Sequence, residues 1–226
     1  MSRRPFILAL DGPAGAGKST TARAVAAALG FAYLDSGALY RCVALAALEK
    51  GISPDDDAAL GELAVKLQIR QSPDGRFLLD GRDVTDRIRA PEVSQAASRS
   101  SACPSVRRAL VGIQRGAVLE PGTVAEGRDI GTVIFPDADL KVFLDAEATE
   151  RARRRTVELA AKAASAETIA RVGQEMAERD RRDSTRAVAP LAKAEDALVM
   201  DTTFLTLEEV VARIVAEVRE RRRAPK

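Results

Sequence analysis

Residues Gly12-Pro13-Ala14-Gly15-Ala16-Gly17-Lys18-Ser19 satisfy the spacing G-x-x-x-x-G-K-[ST]. They lie between the apolar run Phe6-Ile7-Leu8-Ala9-Leu10 and a helical stretch from Lys18 to Leu29. Strand, glycine-rich turn and helix in that order make an anion cradle, because backbone N–H groups and the helix N-terminus converge there. Within such a loop Lys18 can reach the β- and γ-phosphates of ATP, and the Ser19 hydroxyl can ligate Mg²⁺. A continuous apolar strand ahead of it also implies a parallel sheet buried on both faces.

The remaining chain continues that alternation. Phe31–Leu34, Thr123–Glu126, Leu140–Leu144 and Ala197–Met200 read as strands, and Ala38–Lys50, Glu147–Lys162 and Thr206–Arg222 as helices. The pattern predicts an α/β fold with a doubly wound, parallel five-stranded sheet. One segment departs from it. Leu67–Arg70 and Arg76–Leu79 flank the turn signal Pro73-Asp74-Gly75, with Val84-Thr85 as a third short strand. Residues 63–100 are expected to form a small antiparallel β insertion within a single domain spanning 1–226. The mixed-charge run Glu178–Arg186 reads as a loop or frayed helix end, and about 150–190 as a mobile lid.

Absent residue types narrow the chemistry. With no histidine there is no Ser-His-Asp triad, imidazole zinc site or histidine proton shuttle. With no asparagine there is no Asn-Lys-x-Asp guanine reader and no protein-kinase catalytic loop. A net charge of +2 argues against a global grip on nucleic acid or membrane. Two cysteines, Cys42 and Cys103, suit a reducing compartment, and no apolar run is long enough for a signal peptide or membrane span. The expectation is a cytoplasmic monomer with small-molecule partners. Small kinases and ATP-driven switches remain.

Ligands of open α/β sheets bind at the carboxyl ends of the strands. Asp35-Ser36-Gly37 follows the second strand, with Tyr40 and Arg41 a helical turn later; Glu126-Gly127-Arg128-Asp129 follows the third. Arg41 and Arg128 are candidate clamps for an acceptor phosphate, the alternatives being a solvated helix charge and a loop salt bridge with Asp129. Glu126 can hold Mg²⁺ through water or serve as a structural strand-end carboxylate. The arginines of 179–186 either close over transferring phosphates or form a solvated loop.

Four segments resemble the bacterial cytidylate kinases, within the nucleoside monophosphate kinases. These are Gly12–Thr20, Leu34–Arg41 with its Asp-Ser-Gly-x-x-Tyr-Arg motif, Gly127–Val133 with Gly-Arg-Asp-x-Gly-Thr, and Arg186–Leu191. The resemblance implies that ATP, as the Mg²⁺ complex, phosphorylates CMP and dCMP to CDP and dCDP. It adds Thr20 and Arg154 to the ATP side. It places Ser36, Tyr40, Arg41, Arg128 and Arg186 at the CMP phosphate end, Arg179 and Asp183 at the lid and ribose, and Ser98, Arg107 and Asp129 at cytosine. Lys18, Arg128, Arg179 and Arg186 would carry catalysis. Ser19 replaces a frequent glycine, and Glu126 a frequent aspartate. Another monophosphate acceptor such as UMP, or a non-catalytic ATP switch, is the alternative.

Overall fold

The structure, a computed structural model, describes residues 4–72, 74–160 and 165–223. Five strands form a parallel sheet: β1 (Phe6–Asp11), β2 (Ala32–Asp35), β6 (Gly122–Gly127), β7 (Leu140–Asp145) and β8 (Leu198–Asp201), in the order β2-β6-β1-β7-β8. Leu8 and Leu10 of β1 face a core shared with α1 (Lys18–Leu29) and α8 (Leu207–Arg223). Ala9 faces the other core, built on α2 (Ser36–Glu49), α3 (Asp57–Lys66), α4 (Pro91–Ser100) and α5 (Pro104–Gly116). Alternating faces, both buried, explain the apolar continuity of β1.

Register aligns the carboxyl ends. Asp11 pairs with Gly127, and Asp35 with Glu126. The phosphate loop, Ser36 and Arg128 therefore leave the sheet side by side.

Local signals account for several boundaries. Asp35 caps α2 by accepting from Ala38 N at 2.8 Å, and prolines occupy the first turns of α4 and α5. Thr206 and Glu209 exchange backbone–side-chain hydrogen bonds of 2.8 and 3.2 Å, the reciprocal cap expected before α8.

The insertion contains β3 (Ile69–Gln71), β4 (Phe77–Leu79) and β5 (Arg82–Asp83), paired antiparallel. The third strand is Arg82–Asp83 rather than Val84-Thr85. Asp83 Oδ1 accepts from both the Thr85 amide and hydroxyl, and this local turn ends the strand. Helices α3 and α4, the latter carrying Ser98, are not among the expected elements. Of the two readings of Glu178–Arg186, the helix end holds and the loop does not: all but its last residue belongs to α7 (Ala166–Thr185). Pairs such as Arg181–Glu178 and Arg171–Glu175 neutralise that helix along its exposed face. Helix α6 (Ala148–Ala160) precedes it. Its expected end at Lys162, and Pro73 of the hairpin turn, lie outside the described residues.

Candidate active site

The phosphate loop is shaped by steric necessity. At Gly12, φ is 149° and a Cβ would stand 2.1 Å from the Leu144 carbonyl oxygen, so no side chain fits. Lys18 is buried and its Nζ donates to Pro13 O at 2.6 Å. Burial, then the neighbouring Arg128, pushes its ammonium well below the usual lysine range. Ser19 and Thr20 are exposed at the mouth of the loop. Glu126 is buried, accepts from Tyr33 Oη at 2.6 Å, and has Ser19 nearby. Burial and the Asp35 charge push its carboxyl upward. A hydroxyl and a carboxylate at the end of the cradle are hard oxygen donors, suited to a hydrated Mg²⁺ carried by phosphates.

Beside the loop, nine of the expected acceptor-side residues line one cleft: Ser36, Tyr40, Arg41, Arg107, Arg128, Asp129, Arg179, Asp183 and Arg186. Gly127 makes this possible, because a Cβ there would meet Ser36 Oγ at 2.6 Å. Arg107 is buried, stacks 5.3 Å from the Tyr40 ring centroid, and pairs with Asp129. Arg128 Nε donates to Asp183 Oδ2 at 2.9 Å. Arg186 bridges the two carboxylates, 3.3 Å from Asp129 and 3.8 Å from Asp183. Its Nε also donates to Ala189 O at 2.6 Å, and Ala189 adopts φ 51° before Pro190. A left-handed alanine costs roughly 1 kcal/mol or more, so the loop is held there by its contacts.

Ser98 is buried in α4 behind this cleft, its hydroxyl without a hydrogen-bond partner among the described residues. Arg154 stands apart from the acceptor side. It donates to Thr202 O at 2.6 Å, and one Nη lies 3.9 Å from where a Gly17 Cβ would be. A larger groove of about 360 Å³ lies on the insertion between Arg76 and Arg87, remote from the phosphate loop. Its lining charges are largely paired, so it has no excess to offer an anion.

Three elements of the site escape sequence reasoning. Asp11 falls between the apolar run and the glycine-rich turn and belongs to neither pattern. It accepts from Ile130 N at 2.9 Å and Gly131 N at 2.8 Å, tying the phosphate strand to the Gly127–Gly131 turn. Burial pushes its carboxyl up to about 6 in spite of those two donors. Asp180 accepts from Ala14 N at 2.9 Å, while Arg151 pairs with Asp180 and donates to Ala14 O at 2.8 Å. Tyr33 gives no sign of its contact with Glu126, 93 residues away. An acidic strand end beside a phosphate loop is a signal that could have found Asp11. No local pattern encodes the other two.

A phosphate loop on a doubly wound sheet, with a cationic crevice beside it, defines a phosphotransferase acting on a small phosphorylated acceptor. A solved structure of an uncharacterised protein from Eubacterium ventriosum shares the fold, with a TM-score of 0.52 at 12% identity over 95% of this chain and 98% of that one. The cytidylate kinase family model matches residues 8–220. Cytidylate kinases of Solibacter usitatus and Geobacter sulfurreducens are 50% and 49% identical, covering 97% and 98% of this chain and 94% and 96% of theirs. The chain belongs to the cytidylate kinase family and is a CMP-phosphorylating enzyme.

Proposed function

We propose that the chain transfers the γ-phosphoryl group of ATP in line to the phosphate of CMP or dCMP, with Lys18, Arg128, Arg179 and Arg186 as its catalytic cations. One observation carries this reading: the cleft sets five arginines against only two aspartates. Arg179 is pushed down to about 10 by burial and then by Arg128, and Arg186 is lowered by burial and then by Arg107. Clustered guanidinium groups disfavour one another until an anion arrives. A phosphate monoester supplies that anion, and arginine forks match its oxygens. Arg41 has no carboxylate partner among the described residues and is free to clamp it.

Ser19 and, through water, Glu126 would hold Mg²⁺ on the ATP phosphates, with Gly12–Thr20 as the cradle and Arg154 on the donor side. The ion supplies charge neutralisation for the phosphates. Arg107, Asp129 and the unpartnered Ser98 hydroxyl face cytosine in this reading, and Asp183 with Arg179 the ribose. The alternative acceptor UMP and the switch reading are tested together. ADP release is measured with ATP plus CMP, dCMP, UMP, AMP or no acceptor. Cytidine monophosphates should dominate, and release independent of acceptor would sink the assignment.

The cleft holds only about 50 Å³, against roughly 300 Å³ or more for typical ligand pockets, and in this reading α7 is the wall that withdraws to admit a nucleotide. Arg186 belongs to that movement. Arg186→Ala should lower kcat more than it weakens ATP binding, because both Asp129 and Asp183 lose their brace. Turnover and ATP affinity measured separately decide this; a loss confined to ATP affinity would move Arg186 to the donor side.

Asp180 makes a second test. Its carboxylate takes the Ala14 N–H that a donor phosphate needs. Asp180→Ala should tighten ATP binding without acceptor about two- to tenfold, the scale of one competing hydrogen bond. Calorimetric titration with ATP reads this directly. Weaker binding would show that the carboxylate supports the loop instead of competing for it. The reading is of a monomer, which sedimentation checks.

A further inference from the structure

Glutamate has one more rotatable bond than aspartate, so a carboxylate that must stay beside a phosphate loop needs something to hold it. At position 126 the structure supplies such a restraint from an unexpected side. Tyr33 lies on edge strand β2, one pair before the Leu34–Ala125 and Asp35–Glu126 positions. Its ring runs diagonally across to β6, where Oη donates to Glu126 Oε1 at 2.6 Å. Arg23, one helical turn beyond Ser19 in α1, places its guanidinium 5.0 Å from the Tyr33 ring centroid. Ser19 stands near enough to Glu126 to favour its charged form. The carboxylate is thus held by a hydroxyl from the sheet edge, while Ser19 flanks it at the metal-side end of the phosphate loop.

We propose that Tyr33 is a positioning residue for the reaction: its hydroxyl, seated under Arg23, fixes the Glu126 carboxylate beside Ser19 and so sets the affinity of the site for the divalent cation of ATP. A shorter aspartate would retreat towards β6 and could not reach the phenol, so Tyr33 and the extra methylene work as a pair. The inference rests on the reading of Glu126 as the metal-side carboxylate.

The test uses the full chain with Mn²⁺ and a non-hydrolysable ATP analogue, so that metal binding is followed by electron paramagnetic resonance without turnover. Tyr33→Phe removes only the hydroxyl. It should weaken Mn²⁺ about three- to tenfold, the scale of one lost hydrogen bond. In turnover, the free Mg²⁺ needed for half-maximal rate should rise by a similar factor. At saturating Mg²⁺, kcat should return close to the wild-type value, and KM for CMP should not move. In an E126D background the same Tyr33→Phe change should alter Mn²⁺ affinity less than about twofold, because the contact is already gone.

Unchanged Mn²⁺ affinity in Y33F would overturn the inference. So would an equal loss in the E126D background, which marks a purely structural tyrosine. Glu126→Gln separates the two levels. If it leaves Mn²⁺ affinity unchanged, the metal-side placement of Glu126 is what fails, and the role of Tyr33 falls with it. If E126Q weakens the metal while Y33F does not, only the role of Tyr33 is lost.

Discussion

Lys18→Ala should leave a folded protein whose kcat is lower by several orders of magnitude. The side chain is buried, yet its ammonium is disfavoured there by desolvation and by Arg128, so removing it takes no net stabilising charge from the fold. The sign can be checked through pH. A lysine with a depressed folded pKa binds fewer protons folded than unfolded, so stability falls as pH drops from the ordinary lysine range towards neutrality. K18A should lack that particular loss. Catalysis behaves differently, because charge develops on the transferred group where Lys18 is aimed. Retention of more than about a tenth of wild-type kcat would defeat the assignment, since a lost charge contact there should cost more than ~1.4 kcal/mol. ATP binding to the wild type near neutral pH should also take up protons, as the phosphates restore the ammonium. Calorimetry in two buffers of different ionisation heat reads that uptake, which K18A should not show.

Asp129→Ala should lower kcat/KM for CMP and narrow the CMP/UMP ratio by at least about tenfold. Cytosine offers acceptors at O2 and N3 and an amino donor at N4; uracil presents an acceptor at O4 and a donor at N3. Arg107 can donate to O2 and N3, while Asp129 can accept from N4. With UMP the carboxylate faces another acceptor and the arginine faces a donor, so discrimination arises from mismatch as well as attraction. An unsatisfied buried polar group costs about 1–3 kcal/mol, which sets the tenfold scale.

The structure adds a consequence to that experiment. Asp129 pairs with Arg107 and lies 3.3 Å from Arg186, so alanine also strips two buried guanidinium groups of a counter-charge. Thermal unfolding should therefore accompany the kinetics, and Asp129→Asn, which keeps the shape, serves as the second variant. Steady-state rates with both acceptors at saturating ATP give the ratio. Equal losses for CMP and UMP would make Asp129 a brace for its arginines, and the base reader would then be sought in residues 63–107.

Legibility divides by distance along the chain. The cradle Gly12–Ser19, the α1 start and its Gly30 cap lie within a few residues of their own causes, and their glycine and apolar patterns announce them. Strand β1 announces itself as well, because two-sided burial demands an unbroken apolar run, and the other four follow from their alternation with helices. From there the carboxyl-end rule brings Ser36, Arg41 and Arg128 to one crevice before any coordinates are seen. Ser98 and Arg107 carry no local signal and enter only through resemblance to the family. Charge patterning leaves Glu178–Arg186 open between a loop and a helix end; it forms the last turns of α7, which turns one charged face inward.

Tertiary structure alone decides how those charges are paired. Asp180 meets Ala14 across 166 residues, Arg128 meets Asp183 across 55, and Arg107 meets Asp129 across 22. Each carboxylate had several arginines of equal chemistry to choose from, and nothing in local spacing ranks them. Packing makes the choice: once the sheet register sets Asp35 against Glu126 and Asp11 against Gly127, only certain side chains reach one another in a space that excludes water. Burial then moves Lys18, Asp11 and Arg179 from their ordinary protonation ranges. The chemistry available to this protein was written in its residue types; which groups share a proton, a phosphate or a metal was settled by the fold, because desolvation and geometry exist only once the chain has closed around them.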